Sequence, residues 1–182
     1  MPLPPAYRIG GIRVSRRVDG SAEVTAIYVD ADACPVKPEI YRVATRHALR
    51  VVLVSNAWMR VPLDDRVSLV VVNGDFDAAD DWIVEHVTAS DIVISGDIPL
   101  AARCLAKGAA ALDMRGGVFT EDNIGEALAS RQLLSELRDS GAITGGPAAH
   151  GKRDRSRFLQ RLEDTVQAIR RRTEPGFFTK NT

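Results

Sequence analysis

The sequence predicts an α/β fold: a central, mainly parallel sheet of about five strands, flanked by helices and followed by a basic C-terminal helix. Three observations predict it. Short apolar, β-branched runs alternate with longer segments of helical character, the pattern of parallel strands joined by crossover helices. A chain of 182 residues with 45% hydrophobic content is large enough for one domain with its own core. Acidic residues recur where the apolar runs end, at Asp30 and Asp32, at Asp77 and Asp80, and at Asp97. In an open α/β sheet those ends share one edge, which is where ligands bind.

Each element has a local reason. Residues 1–24 show no sustained period and contain Pro and Gly, so they are expected to form a loose, disordered extension with room for a short strand. TAIYVDA reads as a buried first strand of the main domain, residues 25–172. Pro35 and Pro38 suit the first turn of a helix reaching about Arg50, because a missing proline N–H costs little there. VVLVSN is the second strand, and WMRVPLDD a loop punctuated by Pro62. SLVVVNG is the third strand, ended by Asn73-Gly74, and a helix runs from Asp77 to about Ala89. DIVISG is the fourth strand, and PLAARCLAKG a short helix closed by Gly108. AAALDM is the fifth strand, followed by an amphipathic helix from Thr120 to Ser140 ended by Gly141. ITGGPAAHG is a flexible connector, Asp154 to Arg172 the last helix, and residues 173–182 a mobile tail.

Composition excludes several classes. No uninterrupted apolar run is long enough to cross a bilayer. The N-terminus lacks the apolar stretch of a secretory signal; its arginines superficially resemble a transit peptide, but an extension is the expected reading. Cys34 and Cys104 form no CxxC pair and no disulfide framework, so both are read as reduced thiols of a cytoplasmic protein. The net charge of zero hides an asymmetry. Residues 25–150 carry 11 Lys/Arg against 18 Asp/Glu, whereas residues 151–182 carry 9 against 4. A basic tail on an acidic body suits a polyanion, and equally a solvated Arg-rich helix.

Carboxylates gathered at one edge repel unless protons or a divalent cation neutralise them, and hard cations such as Mg²⁺ or Mn²⁺ prefer oxygen ligands. A metal-dependent acidic site is therefore the leading expectation. Asp30 and Asp32 flank Ala31, so at extended geometry both side chains reach one side; Asp in a turn after a strand explains them as well. Asp77 occupies an N-cap position and Asp80, three residues on, imitates a capping box. Yet Asp80 shares the helical stripe of Ile83, Val84 and Val87, where a carboxylate needs a partner, so it is favoured over Asp81. Asp97 follows the fourth strand and precedes Pro99, which also suits an N-cap.

IYVDADACP (28–35), FDAADDWI (76–83), SGDIPLA (95–101), KGAAALDMRG (107–116) and TGGP (144–147), in that order, resemble the uncharacterised bacterial YaiI/YqxD family from about Ile27 to Phe158. That resemblance implies a single PIN-like domain. In PIN nucleases, acids after the first strand, in a central helix and after the fourth strand bind Mg²⁺ or Mn²⁺ and activate water. Carried over motif by motif, these are Asp30, Asp80 or Asp81, and Asp97, with Asp32 and Asp77 as outer supports. Ser95-x-Asp97 matches the hydroxyl-x-acid pattern of that fold. The implied substrate is single-stranded RNA, an inference from fold alone.

Other features have competing readings. Arg153, Arg157 and Arg161 share a helical face beside the Gly145-Gly146-Pro147 connector and are candidate phosphate contacts; alternatively they face water while Phe158, Leu159 and Leu162 dock the helix. His47 and His86, one on each of two helices, read as ordinary histidines. Trp58 and Met59 either stack on a base or cover the sheet. Asp30, Asp32 and Ser55 also fit the order of haloacid-dehalogenase-like phosphatases, with Asp30 as nucleophile, but Lys107 follows rather than precedes the GDIPLA acid. A non-catalytic RNA- or protein-binding module is the third reading.

Overall fold

The strand-forming runs become the buried centre of the molecule: Ile27, Val29, Val51, Leu53, Ile92 and Ile94 are all fully buried. The structure, a computed structural model, describes residues 7–9, 25–73, 77–143 and 149–173. Expectations for the rest of the N-terminal arm, Gly74, the Gly145-Gly146-Pro147 connector and the tail from 174 lie outside the described residues. In chain order the elements are β1 (Tyr7–Ile9), β2 (Ala26–Asp30), α1 (Lys37–His47), β3 (Arg50–Ser55), β4 (Val67–Val71), α2 (Ala78–His86), β5 (Ile92–Ile94), α3 (Ile98–Leu105), β6 (Ala110–Leu112), β7 (Val118–Phe119), α4 (Glu121–Asp139) and α5 (Lys152–Thr173).

The sheet has seven strands in the order β1-β4-β3-β2-β5-β6-β7. The five expected strands are its parallel centre, β4 to β6. Two short strands add an antiparallel edge on each side, β1 on β4 and β7 on β6. The count of about five therefore becomes seven: the two added strands, of three and two residues, are edge strands that lie outside the longer apolar runs by which the central five are read.

Side-chain alternation along the strands divides the core in two. Ile27, Val29, Val51 and Leu53 face a layer containing Val43 of α1 and Phe158, Leu162 and Val166 of α5. Tyr28, Val52, Val54 and Val93 face the opposite layer, with Ile83 of α2 and Leu100 and Cys104 of α3. By the same alternation Asp30 falls on the α2–α3 side.

Several boundaries shift for local reasons. α1 ends at His47, where Ala48 takes a left-handed conformation (φ 53°) and Leu49 donates its N–H to the Ala44 carbonyl. α2 ends at His86, because Val87 is already extended. α3 ends at Leu105, and Gly108 (φ 82°) turns the chain three residues later. Thr120 caps α4 in a reciprocal capping box with Asn123, and Gly141 (φ 73°) follows its end. The amphipathic character expected of α4 is not realised: none of its residues is buried, and Leu133 and Leu134 face solvent. Among the described residues no helix is long and apolar enough to cross a membrane.

Candidate functional site

The centre of the sheet fixes where chemistry can gather. From β2 the chain builds outward through β3 and β4, then returns to lay β5 on the other side of β2. The crevice between β2 and β5, at their C-terminal ends, is the topological switch point. Asp30 ends β2, and Ser95 and Asp97 follow β5, so both flanks of the crevice are acidic.

Ser95 joins them. Its buried hydroxyl donates to Asp30 Oδ2 at 2.9 Å and accepts the Asp97 backbone N–H at 2.9 Å. Asp97 is also the N-cap of α3, taking the Leu100 N–H on Oδ1 at 3.1 Å. Its Oδ2 lies 3.9 Å from the Arg131 guanidinium of α4. Asp97 thus fills its structural role and its place in the crevice together.

Asp80 approaches from α2. Its half-buried carboxyl is pushed up to about 6 by burial and by the nearby charges of Asp97, Asp30 and Asp77, while Arg103 pulls it down. Burial likewise pushes Asp30 up; the Ser95 hydrogen bond opposes it and Asp32 and Asp97 add to it. Among the described residues Asp80 accepts no hydrogen bond, and neither does Asp30 Oδ1. Asp81 points elsewhere, exposed and paired with Arg103 at 2.7 Å. The capping box expected at this helix is absent: Asp77, with φ −96° and ψ 7° rather than the extended backbone of an N-cap, makes no side-chain cap bond.

Asp32 is exposed and turned toward β3. It accepts the Ser55 hydroxyl, and on Oδ2 the Asn56 backbone and side-chain N–H groups at 3.0 Å each. In the phosphatase reading Ser55 would face a phosphate; here its hydroxyl is spent on Asp32.

Arg153 and Arg157 lie on α5, in the layer opposite Asp80 and Asp97. Arg157 donates to the Arg115 carbonyl at 2.6 Å and to Asp154 at 3.2 Å. His47 meets Glu163 at 2.6 Å and clamps α1 to α5, while His86 stacks on Trp82 with ring centroids 3.7 Å apart. Trp58 is exposed, and Met59 packs against the core. Both cysteines are buried and free.

The fold therefore joins Asp30, Ser95 and Asp97 by hydrogen bonds at one edge, with Asp80, Asp32 and Asp77 within electrostatic reach of that cluster. Sequence reasoning missed Arg131 and Asn56. Arg131 gives no local signal, being one arginine in a solvated helix 34 residues from Asp97; Asn56 had one, its place directly after a strand end at the same edge.

The donor set suits a hard cation: oxygen ligands, one sign of charge, and a half-buried carboxylate with no donor among the described residues. As placed, no three His, Cys, Asp or Glu side chains among the described residues enclose one point as a metal cage would. The acids line an edge.

Comparison with known proteins gives a family. The model of the "Uncharacterized BCR, YaiI/YqxD family" matches residues 28–168. A UPF0178 protein of Parvibaculum lavamentivorans is 60% identical over 152 residues, covering 84% of this chain and all of that one. One from Rhodospirillum rubrum is 55% identical over 146 residues, 80% of this chain and 97% of that one. One from Caulobacter sp. (strain K31) is 52% identical over 148 residues, 81% and 98% of the two chains. No solved structure matches the chain. A family match over most of the sequence, with full-length relatives above half identity, makes this chain a member of the YaiI/YqxD family.

Proposed function

We propose that the acidic crevice is a divalent-cation site for phosphodiester hydrolysis, a PIN-like ribonuclease site acting on single-stranded RNA. Asp30, Asp80 and Asp97 would hold Mg²⁺ or Mn²⁺. The observation that carries the reading is the Ser95 bridge, which ties the acid ending β2 to the acid following β5 at the switch point of the sheet.

When bound, a divalent cation supplies Lewis acidity toward a phosphoryl oxygen and lowers the pKa of water. The chain's own groups do the rest. Asp80 would serve as a further ligand or, where it does not bind the ion, as the general base. Without metal its carboxyl is pushed up to about 6, so it is largely ionised at neutral pH for either role. Ser95 orients Asp30, and Asp32 holds the end of β3 through Ser55 and Asn56. Arg131 supplies a guanidinium at the same edge, able to fork onto a substrate phosphate. Asp77 adds negative charge without a direct bond to the cluster.

The test pairs Mn²⁺ titration by calorimetry with cleavage of end-labelled single-stranded RNA, on the wild type and Asp97→Asn. The wild type is expected to do both; the variant should lose Mn²⁺ affinity and at least about a hundredfold in cleavage rate. Equal cleavage by the variant, or no Mn²⁺ uptake by the wild type, overturns the reading. A hydroxylamine-labile acyl phosphate at Asp30 would mark a phosphatase instead. RNA affinity that survives neutralisation of Asp30, Asp80 and Asp97, without any cleavage, would mark a binding module.

A further inference from the structure

α5 is a 22-residue helix with two unlike sides. Phe158, Leu162, Val166 and Ile169 recur at helical spacing and are buried against the sheet. The outward stripe carries Arg153, Arg157 and Arg161 at i, i+4 and i+8. These arginines, with Ser156 and Gln160, line an open hollow of about 380 Å³. Among the described residues no carboxylate lines it.

The charge in this hollow is only partly compensated. Arg157 is anchored by the Arg115 carbonyl and Asp154. Asp154 is itself shared, accepting Arg115 at 2.8 Å and the Gly151 N–H at 3.1 Å as well. The guanidinium groups of Arg153 and Arg161 make no hydrogen bond or ion pair among the described residues. Like charges at i,i+4 destabilise a helix by a few tenths of a kcal/mol per pair, so the row has an electrostatic cost that a bound anion would offset.

We infer that this hollow binds the phosphate backbone of a nucleic-acid strand. Successive arginines of the row are spaced by about 6 Å along the helix axis, about 12 Å end to end. A stacked strand presents one phosphate per roughly 3.4 Å, so the row spans about three to four phosphates. The guanidinium fork matches phosphate geometry, and Ser156 and Gln160 add neutral hydrogen-bonding groups between the charges. Among the described residues no aromatic side chain lines the hollow, so the contact it offers is to the backbone, independent of sequence. The surface is separate from the acidic crevice, on the opposite layer of the sheet. Its N-terminal end nevertheless reaches the same sheet edge, where Arg157 bonds the turn after β6 and Arg155 bonds the Pro35 carbonyl after β2. The inference goes beyond catalysis at the crevice and does not depend on it.

The test is fluorescence anisotropy of a labelled single-stranded RNA of mixed sequence, titrated with the full chain in EDTA across a salt series. EDTA removes any metal-dependent step, so failure of the nuclease reading leaves this measurement untouched. The wild type is expected to bind with strong salt dependence. R153E/R161E should bind at least about tenfold more weakly, with a log–log salt slope shallower by about two. Thermal melts check the fold; if that variant melts early, R153Q/R161Q carries the comparison. Unchanged affinity and slope in the variants, or no binding by the wild type at the lowest salt, overturns the inference. Arginine-dependent binding to anionic vesicles without binding to RNA overturns it too, because the partner would then be a membrane surface.

Discussion

Asp80 is a carboxyl group held among other carboxyl groups, and its protonation is coupled to folding. Its ordinary value is 3.8 and its folded value about 6. Between the two, the native state holds a proton that the unfolded chain has released, so stability falls as pH rises through this window and levels off above it. A shift of that size corresponds to about 3 kcal/mol, which screening at this half-exposed position reduces to about 1–2 kcal/mol. Asp80→Asn is therefore expected to stabilise the metal-free protein by about 1–2 kcal/mol at neutral pH and to flatten the slope between about pH 4 and 6. Urea denaturation at the two ends of that window measures both effects, and a variant less stable than wild type at neutral pH would show that Asp80 has a structural role instead. The helical stripe shared with Ile83 and Val87 made Asp80 distinguishable from Asp81 in the sequence. The failure of Asp77 to cap was not readable, because capping depends on backbone angles that composition does not specify. Asp91 teaches the complementary lesson. It also borders an apolar run, but at the opposite end of β5, where it accepts the Ala26 N–H and the Thr88 N–H and hydroxyl as a buried clamp. Which end of the strand an aspartate occupies decides between clamp and crevice.

At the level of elements, α5 is held against the body by contacts that sequence periodicity alone does not disclose. Gly116 has φ 84°, and a Cβ there would sit 2.9 Å from the Phe158 backbone nitrogen and 3.0 Å from the Arg157 carbonyl carbon and oxygen. The turn after β6 thus touches the backbone of α5, and neither partner is a flexible side chain that could yield. Gly116→Ala combines left-handed strain with displacement of α5, an expected loss of about 2–3 kcal/mol by urea denaturation. A loss below about 0.5 kcal/mol would mean that the turn relaxes freely. Existence and order of the helices were legible from their periods and caps, Thr120 and Gly141 above all. The fate of α4 was not: its leucines recur at helical spacing, yet the sheet is already covered by α2 and α3 on that side, and no residue of α4 is buried. Periodicity reports that a helix can bury a face, and neighbouring elements decide whether it does.

The whole molecule places its acids so that no single segment contains the candidate site. Asp30 ends β2, Asp80 lies in α2 and Asp97 caps α3, and only the switch in strand order brings these segments to one edge. That arrangement was legible because parallel strands share a C-terminal edge, whereas Arg131 and the seating of α5 on the opposite layer required the folded chain. A ligand joining three segments should stabilise the fold as a whole, since it binds the assembled crevice and not the separated pieces. At a free Mn²⁺ concentration about a hundred times its Kd, linkage adds about 2.7 kcal/mol, or about 5–10 °C in melting temperature for a chain of this size. Thermal melts with and without Mn²⁺ should show that shift in the wild type and in R153E/R161E. The shift should disappear in Asp30→Asn and in Asp97→Asn, while an equivalent ionic strength of NaCl should not reproduce it. Retention of the full shift in both aspartate variants would move the cation elsewhere on this acidic body. Absence of any shift in the wild type would leave the crevice a set of caps and turns, in which Ser95 and Asp97 only finish β5 and begin α3.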